Sequence, residues 1–134
     1  ILNKNKDEWN PSDYAINLTR RARGLPLWFS LATHGVATYR DAIRANVELA
    51  HQAAREIEKR DYLSLVRKPQ LSVVVFERNG WEQADYDSWS EKLLAEQVAL
   101  VLPSSLRGRP HTRFAIVNPM TTIELLIEIL DSMK

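Results

Sequence analysis

Arg113 is the residue whose type and position in this sequence most clearly point to binding chemistry. It stands in the run Thr112-Arg-Phe-Ala-Ile-Val117, in which Phe114 and Ile116 alternate with it as in a strand buried on one face. A guanidinium in apolar surroundings is costly unless an anion pairs with it, and its planar fork matches a carboxylate. The sequence therefore predicts a carboxylate partner for Arg113, either on a ligand or on an acidic residue of the same domain.

A second group of candidates lies near the start of the chain. Arg20, Arg21 and Arg23 lead into Leu-Pro-Leu-Trp28, the start of an apolar helix. Arginine and tryptophan are frequent anchors at protein interfaces, so Arg20, Arg21 and Trp28 are interface candidates. Solvated arginines and a tryptophan used only for packing are the alternatives.

Other kinds of chemistry lack their usual residues. The sequence has no cysteine, and its three histidines do not have the spacing of metal ligands. His111 stands in a basic, glycine-bearing segment beside Arg107 and Arg109, where ordinary exposure is the simplest expectation. No glycine-rich phosphate loop and no G-x-S-x-G sequence occurs. We therefore predict no metal site, no nucleotide site and no serine-hydrolase chemistry.

Composition indicates one folded domain. The chain has 134 residues, of which 45% are hydrophobic and 26% charged, with a net charge of +1. That balance gives no reason to expect nucleic acid as a partner, and no apolar run approaches the length of a membrane span. The absence of cysteine is compatible with the cytoplasm. Because the chain begins at Ile1 rather than Met, we expect a fragment of a longer protein.

The elements that must position Arg113 follow from periodicity and capping signals. Residues 1–36 read as a lead-in and a helix over about 26–34 that stops at Gly35, and residues 37–134 as a small α+β domain. In that domain we predict a long helix over 38–60, strands at 62–66 and 71–76, a helix capped by Asp85, strands at 98–102 and 112–117, and a last helix capped by Thr121 with Glu124. Residues 104–111 read as a loop.

Apolar stripes predict which side of each helix faces the core. The long helix, with Thr38 as its N-cap, carries a stripe of Ile43, Val47, Ala50, Ala54 and Ile57. The next helix directs Tyr86, Trp89 and Leu93 inward. The order of elements predicts helices packed over one face of a mainly antiparallel sheet.

Two segments in this order resemble the C-terminal end of the pyridoxal-phosphate-dependent group II amino acid decarboxylases, such as the aromatic amino acid and glutamate decarboxylases. They are Arg20-Arg-Ala-Arg-Gly-Leu-Pro-Leu-Trp28-Phe-Ser-Leu31 and Thr112-Arg-Phe-Ala-Ile-Val-Asn-Pro-Met-Thr-Thr122. The resemblance extends from about Tyr14 to the end of the chain. It implies the small C-terminal domain of a fold type I pyridoxal-phosphate enzyme, with residues 1–36 as lead-in and interdomain helix.

The resemblance also implies that the parent is a longer protein, a cytoplasmic homodimeric lyase, in which this chain and the large domain have different roles. Arg113 would contact the carboxylate of an amino acid substrate. The lysine that bonds to pyridoxal phosphate follows a histidine in the family's large domain, and no His-Lys pair occurs in this sequence. The cofactor would therefore be held by the missing large domain, and this chain alone would bind no cofactor and be inactive.

Two alternatives stay open at this point. The chain could be a free-standing α+β module, regulatory or ligand-binding, that holds a small carboxylate through Arg113. It could also be the equivalent domain of a pyridoxal-dependent transaminase or desulfurase, which shares the domain plan and is disfavoured only by the two segments above.

Overall fold

A computed structural model describes residues 14, 16 and 21–134 of the chain. The helices and strands within this part are α1 (Leu25–His34), α2 (Val36–Glu58), β1 (Leu63–Arg67), β2 (Val73–Arg78), α3 (Gln83–Ala95), β3 (Pro103–Leu106), β4 (Arg109–Ala115) and α4 (Ile123–Asp131). The chain divides into two compact units, with the boundary between Val36 and Ala37.

The first unit contains α1, and the predicted helix is confirmed. Pro26 lies in its first turn, where a missing N–H costs nothing. Gly35 ends it with a φ of 81°, a conformation that glycine adopts without strain, and its N–H donates to the Leu31 carbonyl at 2.9 Å. No residue of α1 is buried, and Leu27, Trp28 and Phe29 are all more than half exposed.

The second unit is built on a four-stranded sheet with the strand order β1-β2-β4-β3, in which every neighbouring pair is antiparallel. Val75 of β2 pairs with Arg67 on one side and with Arg113 on the other. The predicted α+β fold with a mainly antiparallel sheet is therefore confirmed.

Alternation along the central strands gives the sheet two unlike faces. Val74, Phe76 and Phe114 lie on the face that α2, α3 and α4 cover, and all three are buried. The rings of Phe76 and Phe114 are 4.8 Å apart. The helices add the rest of the core, including Ala50, Ala53, Ala54, Ile57, Tyr86, Trp89, Leu93, Leu126, Ile129 and Leu130.

The long helix differs from its prediction in two respects. It begins at Val36, so Thr38 is not its N-cap. Ile43 is 60% exposed, because the buried residues of α2 begin only at Asn46. Ala50, Ala54 and Ile57 are buried as expected, whereas Val47 is half-buried and Ala53 joins the core. The part of the helix before Asn46 extends beyond the core that its later turns cover.

The predicted strand at 98–102 is wrong, and so is the loop at 104–111. After α3, Gln97 adopts a positive φ of 58°, and 98–102 pairs with no strand, although Val101 is buried. Ser90 satisfies the Val101 carbonyl with a 2.7 Å hydrogen bond. The predicted loop instead forms β3, a two-residue turn at Arg107-Gly108, and the start of β4. Both turn residues have the positive φ that a type I′ hairpin turn requires.

Two helix caps lie one to three residues from their predicted positions. Glu82 caps α3, and Asp85 lies in the first turn and accepts a 2.8 Å hydrogen bond from the Glu82 N–H. Thr122, not Thr121, caps α4 by accepting from the Leu125 N–H at 3.3 Å. The predicted cap residues, Asp85 for α3 and Thr121 for α4, are therefore wrong by three residues and by one residue.

Polar contacts fasten the C-terminal helix to the domain. Arg60 donates through Nε to Asp131 at 2.9 Å and through Nη1 to Glu56 at 3.1 Å. The hydrogen bond from Arg60 lowers the pKa of Asp131. Arg78 donates to the Met133 carbonyl at 2.7 Å and lies over the Tyr62 ring. The charged groups of this region are therefore used within the fold.

Candidate functional site

The side of the sheet that no described helix of the second unit covers is called the open face below. It is formed by alternate residues of the strands and by the flanking chain, including Val66, Val73, Val75, Glu77, Leu102, Leu106, His111, Arg113 and Ala115. Many of its apolar side chains are exposed, among them Val73, Leu102 and Leu106. An apolar sheet surface of this kind is typical of a binding interface.

Arg113 lies near the middle of the open face. Its position in β4 follows from the alternation with Thr112 and Phe114, which are buried on the opposite side. Its side chain lines a shallow cavity of about 150 Å³ with Leu100, Leu102 and Ala115. Within the described part of the chain, Arg113 makes no ion pair. The structure thus provides no acidic partner for Arg113 among the residues it describes.

The interface candidates lie in the first unit. Arg20 is outside the described residues. Arg21 is exposed, and Trp28 is 60% exposed with its ring 5.0 Å from the ring of Phe29 in an edge-on arrangement. Their role at an interface stays a prediction.

His111 differs from its expectation of ordinary exposure, since it is only 8% exposed. It lies two residues before Arg113 on the open face, with its Nδ1 3.5 Å from the Arg109 carbonyl. A cavity of about 260 Å³ is lined by His111, Glu77, Arg107, Arg109, Val66 and Leu106. Sequence reasoning missed this cavity because it treated residues 104–111 as a loop. The Arg-Gly pair between two short runs was the signal that could have revealed the hairpin.

The described residues do not fit a pyridoxal-phosphate site. All four described lysines are exposed: Lys59, Lys68, Lys92 and Lys134. Lys59 forms an ion pair with Glu56, and Lys134 with Asp131. A lysine that bonds to the cofactor is held in a shaped, buried pocket, whereas none of these four lysines is buried, and Lys68 only lines an open cavity of about 280 Å³.

Two kinds of feature are absent from residues 14, 16 and 21–134. No group of three or more His, Asp or Glu side chains in that part could hold a metal ion. No helix there is long and apolar enough to cross a membrane.

Comparison with known proteins decides the family. Residues 5–79 match the family model described as the pyridoxal-dependent decarboxylase conserved domain. The chain belongs to the pyridoxal-dependent decarboxylase family. The family resemblance inferred from the two sequence segments is therefore confirmed.

Relatives within this family are much longer than the chain. It is 31% identical over 134 residues to an aromatic-L-amino-acid decarboxylase of Bacillus atrophaeus, covering 95% of this chain and 28% of that protein. It is 28% identical over 131 residues to an L-2,4-diaminobutyrate decarboxylase of Rhizobium meliloti, covering 94% of this chain and 26% of that protein. The chain thus spans little more than a quarter of either relative.

Solved structures of family members show the same fold. The tryptophan decarboxylase of Catharanthus roseus, in complex with L-tryptophan, matches with a TM-score of 0.74 at 18% identity, covering 90% of this chain and 27% of that one. The 4-hydroxyphenylacetaldehyde synthase of Rhodiola rosea matches with a TM-score of 0.76 at 18% identity, covering 91% and 27%. At such identities the likeness concerns the fold alone.

Proposed function

We propose that this chain is the C-terminal small domain of a pyridoxal-phosphate-dependent amino acid decarboxylase, and that Arg113 binds the carboxylate of the substrate. In this proposal residues 1–36 form the lead-in and interdomain helix, and residues 37–134 the small domain. The parent would be a cytoplasmic carboxy-lyase of amino acid metabolism.

The position of Arg113 is the observation that carries the proposal. Its guanidinium lies on an apolar, open surface with no acidic partner among the described residues. A planar guanidinium there can hold a carboxylate through two parallel hydrogen bonds and fix its orientation. Equal binding of the substrate and the transition state would lower KM without accelerating the chemical step, so we assign Arg113 to binding rather than to bond cleavage.

The remaining machinery belongs to the part of the parent that this chain does not include. When bound there, pyridoxal phosphate supplies an electron sink for cleavage of the bond to the carboxylate. The open face, with its exposed valines and leucines, is the surface that we assign to the large domain. Covering it would place Arg113 at the boundary between the two domains.

The first unit supports a second contact with the parent. A helix whose residues are all at least partly exposed, and which carries Leu27, Trp28 and Phe29 outward, is suited to pack on another surface. We assign that surface to the interdomain or dimer interface of a homodimeric parent, with Arg20, Arg21 and Trp28 as anchors.

We assign the substrate to the class of amino acids and not to a particular amino acid. The relatives named above act on different amino acids by name, and the pocket for the substrate side chain lies mainly outside this chain. Arg113 contacts only the group that all such substrates share, which is why it does not discriminate among them.

The test compares the parent with the isolated chain. We expect the parent, supplied with pyridoxal phosphate, to release carbon dioxide from an L-amino acid. We expect the isolated chain to release none and to show no stoichiometric, borohydride-trapped cofactor on any single lysine. Turnover by the isolated chain, together with one labelled lysine, would contradict the proposal.

A free-standing carboxylate-binding module is the second candidate, and the same Arg113 supports it. It predicts that the isolated chain binds a simple carboxylate such as acetate or propionate saturably, and that Arg113→Gln abolishes this binding. The decarboxylase proposal predicts only weak association, because the cavity beside Arg113 is shallow and the domain that would close it is absent. Titration followed by amide chemical shifts separates the two.

A further inference from the structure

The turn between β2 and α3 contains Asn79-Gly80, the one Asn-Gly pair in the sequence. In such a pair the glycine amide nitrogen can attack the carbonyl carbon of the asparagine side chain, because glycine has no side chain to hinder the approach. A carbon–nitrogen bond forms, ammonia leaves, and the product is a five-membered imide. Water then opens the ring at either carbonyl, which gives aspartate or isoaspartate. Both residues of the pair are exposed, so water reaches them.

The nucleophile of this reaction is available in the folded chain. Among the described residues, the Gly80 N–H donates to no acceptor. The N–H groups on either side of it are both used: that of Asn79 donates to the Tyr62 carbonyl at 2.9 Å, and that of Trp81 to the Arg78 carbonyl at 3.1 Å. The Asn79 carbonyl accepts a 2.7 Å hydrogen bond from the Arg78 guanidinium. A cation at that oxygen favours the deprotonated Asn79–Gly80 amide, which is the form that attacks.

The side chain of Asn79, in contrast, is held at both of its polar atoms. Its Nδ2 donates to the Asp61 carbonyl at 2.9 Å, and its Oδ1 accepts from the Ser64 hydroxyl at 2.8 Å. Both partners lie at the start of β1, which is an edge strand of the sheet. The side chain must break these hydrogen bonds before its carbonyl carbon can face the Gly80 nitrogen.

The conformation of the turn adds a second restraint. The Trp81 N–H closes the turn on the Arg78 carbonyl, and Gly80 has a φ of 83° whereas Asn79 has no positive φ, which together define a type II turn. Such a turn gives its first central residue a ψ of about +120°, which rotates the following nitrogen away from that residue's own side chain. The Trp81 ring packs edge-on against Tyr86 at 5.3 Å and fixes the end of the turn.

We propose that Asn79 is a hydrolytic modification site that the fold protects. It converts to aspartate and isoaspartate when β1 separates from β2, and it stays intact while the two strands are paired. Either product loses the Nδ2 donor and places a carboxylate near the Asp61 carbonyl, and isoaspartate also lengthens the backbone of the turn by one atom. Both changes oppose renewed pairing of β1, so the reaction leaves a permanent record that the edge strand has opened.

The test compares the folded chain with the same chain unfolded in urea, both kept in the same mildly alkaline buffer. Peptide mass spectrometry measures the conversion of Asn79 to the acid, and an isoaspartyl methyltransferase with labelled methyl donor measures isoaspartate. We expect conversion in the folded chain to be at least about ten-fold slower than in urea, because β1 must open first. Asn118 is the internal reference, since the nitrogen of Pro119 carries no hydrogen and cannot form the imide.

Two serine variants test the restraint on the side chain. Ser64→Ala removes the donor to Oδ1 and should speed the conversion of Asn79 in the folded chain by about five-fold, with the rate in urea unchanged. Ser105→Ala is the matched control, because Ser105 is an exposed serine of β3, the other edge strand, and it should leave both rates unchanged.

A third variant tests the consequence of the reaction. Asn79→Asp reproduces one of the two products without any incubation. We expect the amide protons of β1 to exchange with solvent about five-fold faster or more in this variant, because the edge strand has lost a hydrogen bond to the turn. The amide protons of α4, which does not contact Asn79, should exchange at their usual rates.

Four results would each overturn the proposal. They are equal rates of conversion in the folded chain and in urea, no conversion at Asn79 in urea, an unchanged folded rate in Ser64→Ala, and unchanged exchange of the β1 amides in Asn79→Asp. The first two need no variant, so they hold even if a substitution disturbs folding. None of them depends on the role assigned to Arg113.

Discussion

The two faces of one sheet differ in almost every physical property, although the same strands form both. On the covered face, Val74, Phe76 and Phe114 are buried beneath three helices. On the open face, Val73 is 44% exposed and Arg113 makes no ion pair within the described chain. Because side chains alternate along a strand, each strand contributes to both faces.

The difference between the faces lies in what packs on them: described helices of the second unit cover only one. The covered face is complete within this chain, and its residues determine the fold. The open face exposes apolar and charged side chains, among them Val73 and Arg113, and in our proposal it packs against the large domain of the parent. Neighbouring residues of β2 or β4 therefore differ in role: one packs in the core on the covered face, and the next is exposed on the open face.

The largest expected effect is on the covered face. Phe76 is fully buried against Phe114, so Phe76→Ala should lower the free energy of unfolding by about 3–5 kcal/mol through lost contacts and a residual cavity. Val73→Ala, on the open face of the same strand, should cost less than about 1 kcal/mol. Urea denaturation of both variants measures the contrast, and equal losses would show that the two faces are not distinct.

A smaller effect is expected for a hydrogen bond made by a buried side chain of the core. The Tyr86 hydroxyl accepts a 2.7 Å hydrogen bond from the Arg78 N–H, and burial raises the pKa of Tyr86. Tyr86→Phe leaves that donor without its partner and should cost about 2 kcal/mol. Tyr62→Phe is the control and should cost less, because the Tyr62 hydroxyl makes only long hydrogen bonds, to the Leu130 carbonyl at 3.3 Å and to Asp131 Oδ1 at 3.4 Å. Indistinguishable denaturation midpoints for the two variants would refute this ranking.

A still smaller effect should depend on pH. The hydrogen bonds from Arg60 to Asp131, and from Lys59 and Arg60 to Glu56, lower the pKa of each carboxyl in the folded state. This stabilisation is present above the ordinary carboxyl range and is lost as the pH falls through the lowered values. Asp131→Asn should therefore cost about 1 kcal/mol at pH 7 and almost nothing near pH 2.

Asp61→Asn provides the matched control for that measurement, because Asp61 is an exposed carboxylate without an ion pair among the described residues. The free energy of unfolding of the Asp61→Asn variant should match that of the unchanged chain between pH 2 and pH 7. A cost for Asp131→Asn that stays constant between pH 7 and pH 2 would show that its ion pair with Arg60 contributes nothing to the pH dependence.

The sequence predicted the covered face better than the open one, for a physical reason. Burial leaves a periodic pattern, so Tyr86, Trp89 and Leu93 were placed correctly in the core. The pattern failed at two positions: Val101 is buried although it lies in no strand, and Ile43 is exposed because it precedes the buried residues of α2, which begin at Asn46.

The candidate site was only partly predictable. Arg113 was recognisable as a charge within an apolar strand, and its place on the face opposite Phe114 follows from alternation. The cavity at His111 was not, because Glu77 and Arg109 are far apart in sequence and meet only through the pairing of β4 with β2 and β3. Pairing between distant strands is a property of the fold rather than of any local segment.

The central claim is that Arg113 serves substrate binding and not the fold. Arg113→Lys keeps the charge but loses the planar fork. In the parent enzyme it should raise KM and lower kcat/KM by about ten-fold or more, equivalent to about 1.4 kcal/mol, with the unfolding free energy and the cofactor absorbance unchanged. Arg67→Lys is the control, since Arg67 flanks Val75 on the opposite side from Arg113.

Steady-state kinetics of these two variants in the parent enzyme is therefore the most direct measurement. We expect a loss of kcat/KM in Arg113→Lys and normal kinetics in Arg67→Lys. Normal kinetics in Arg113→Lys, or a loss of activity that merely follows a loss of stability, would contradict the assignment of Arg113 to substrate binding.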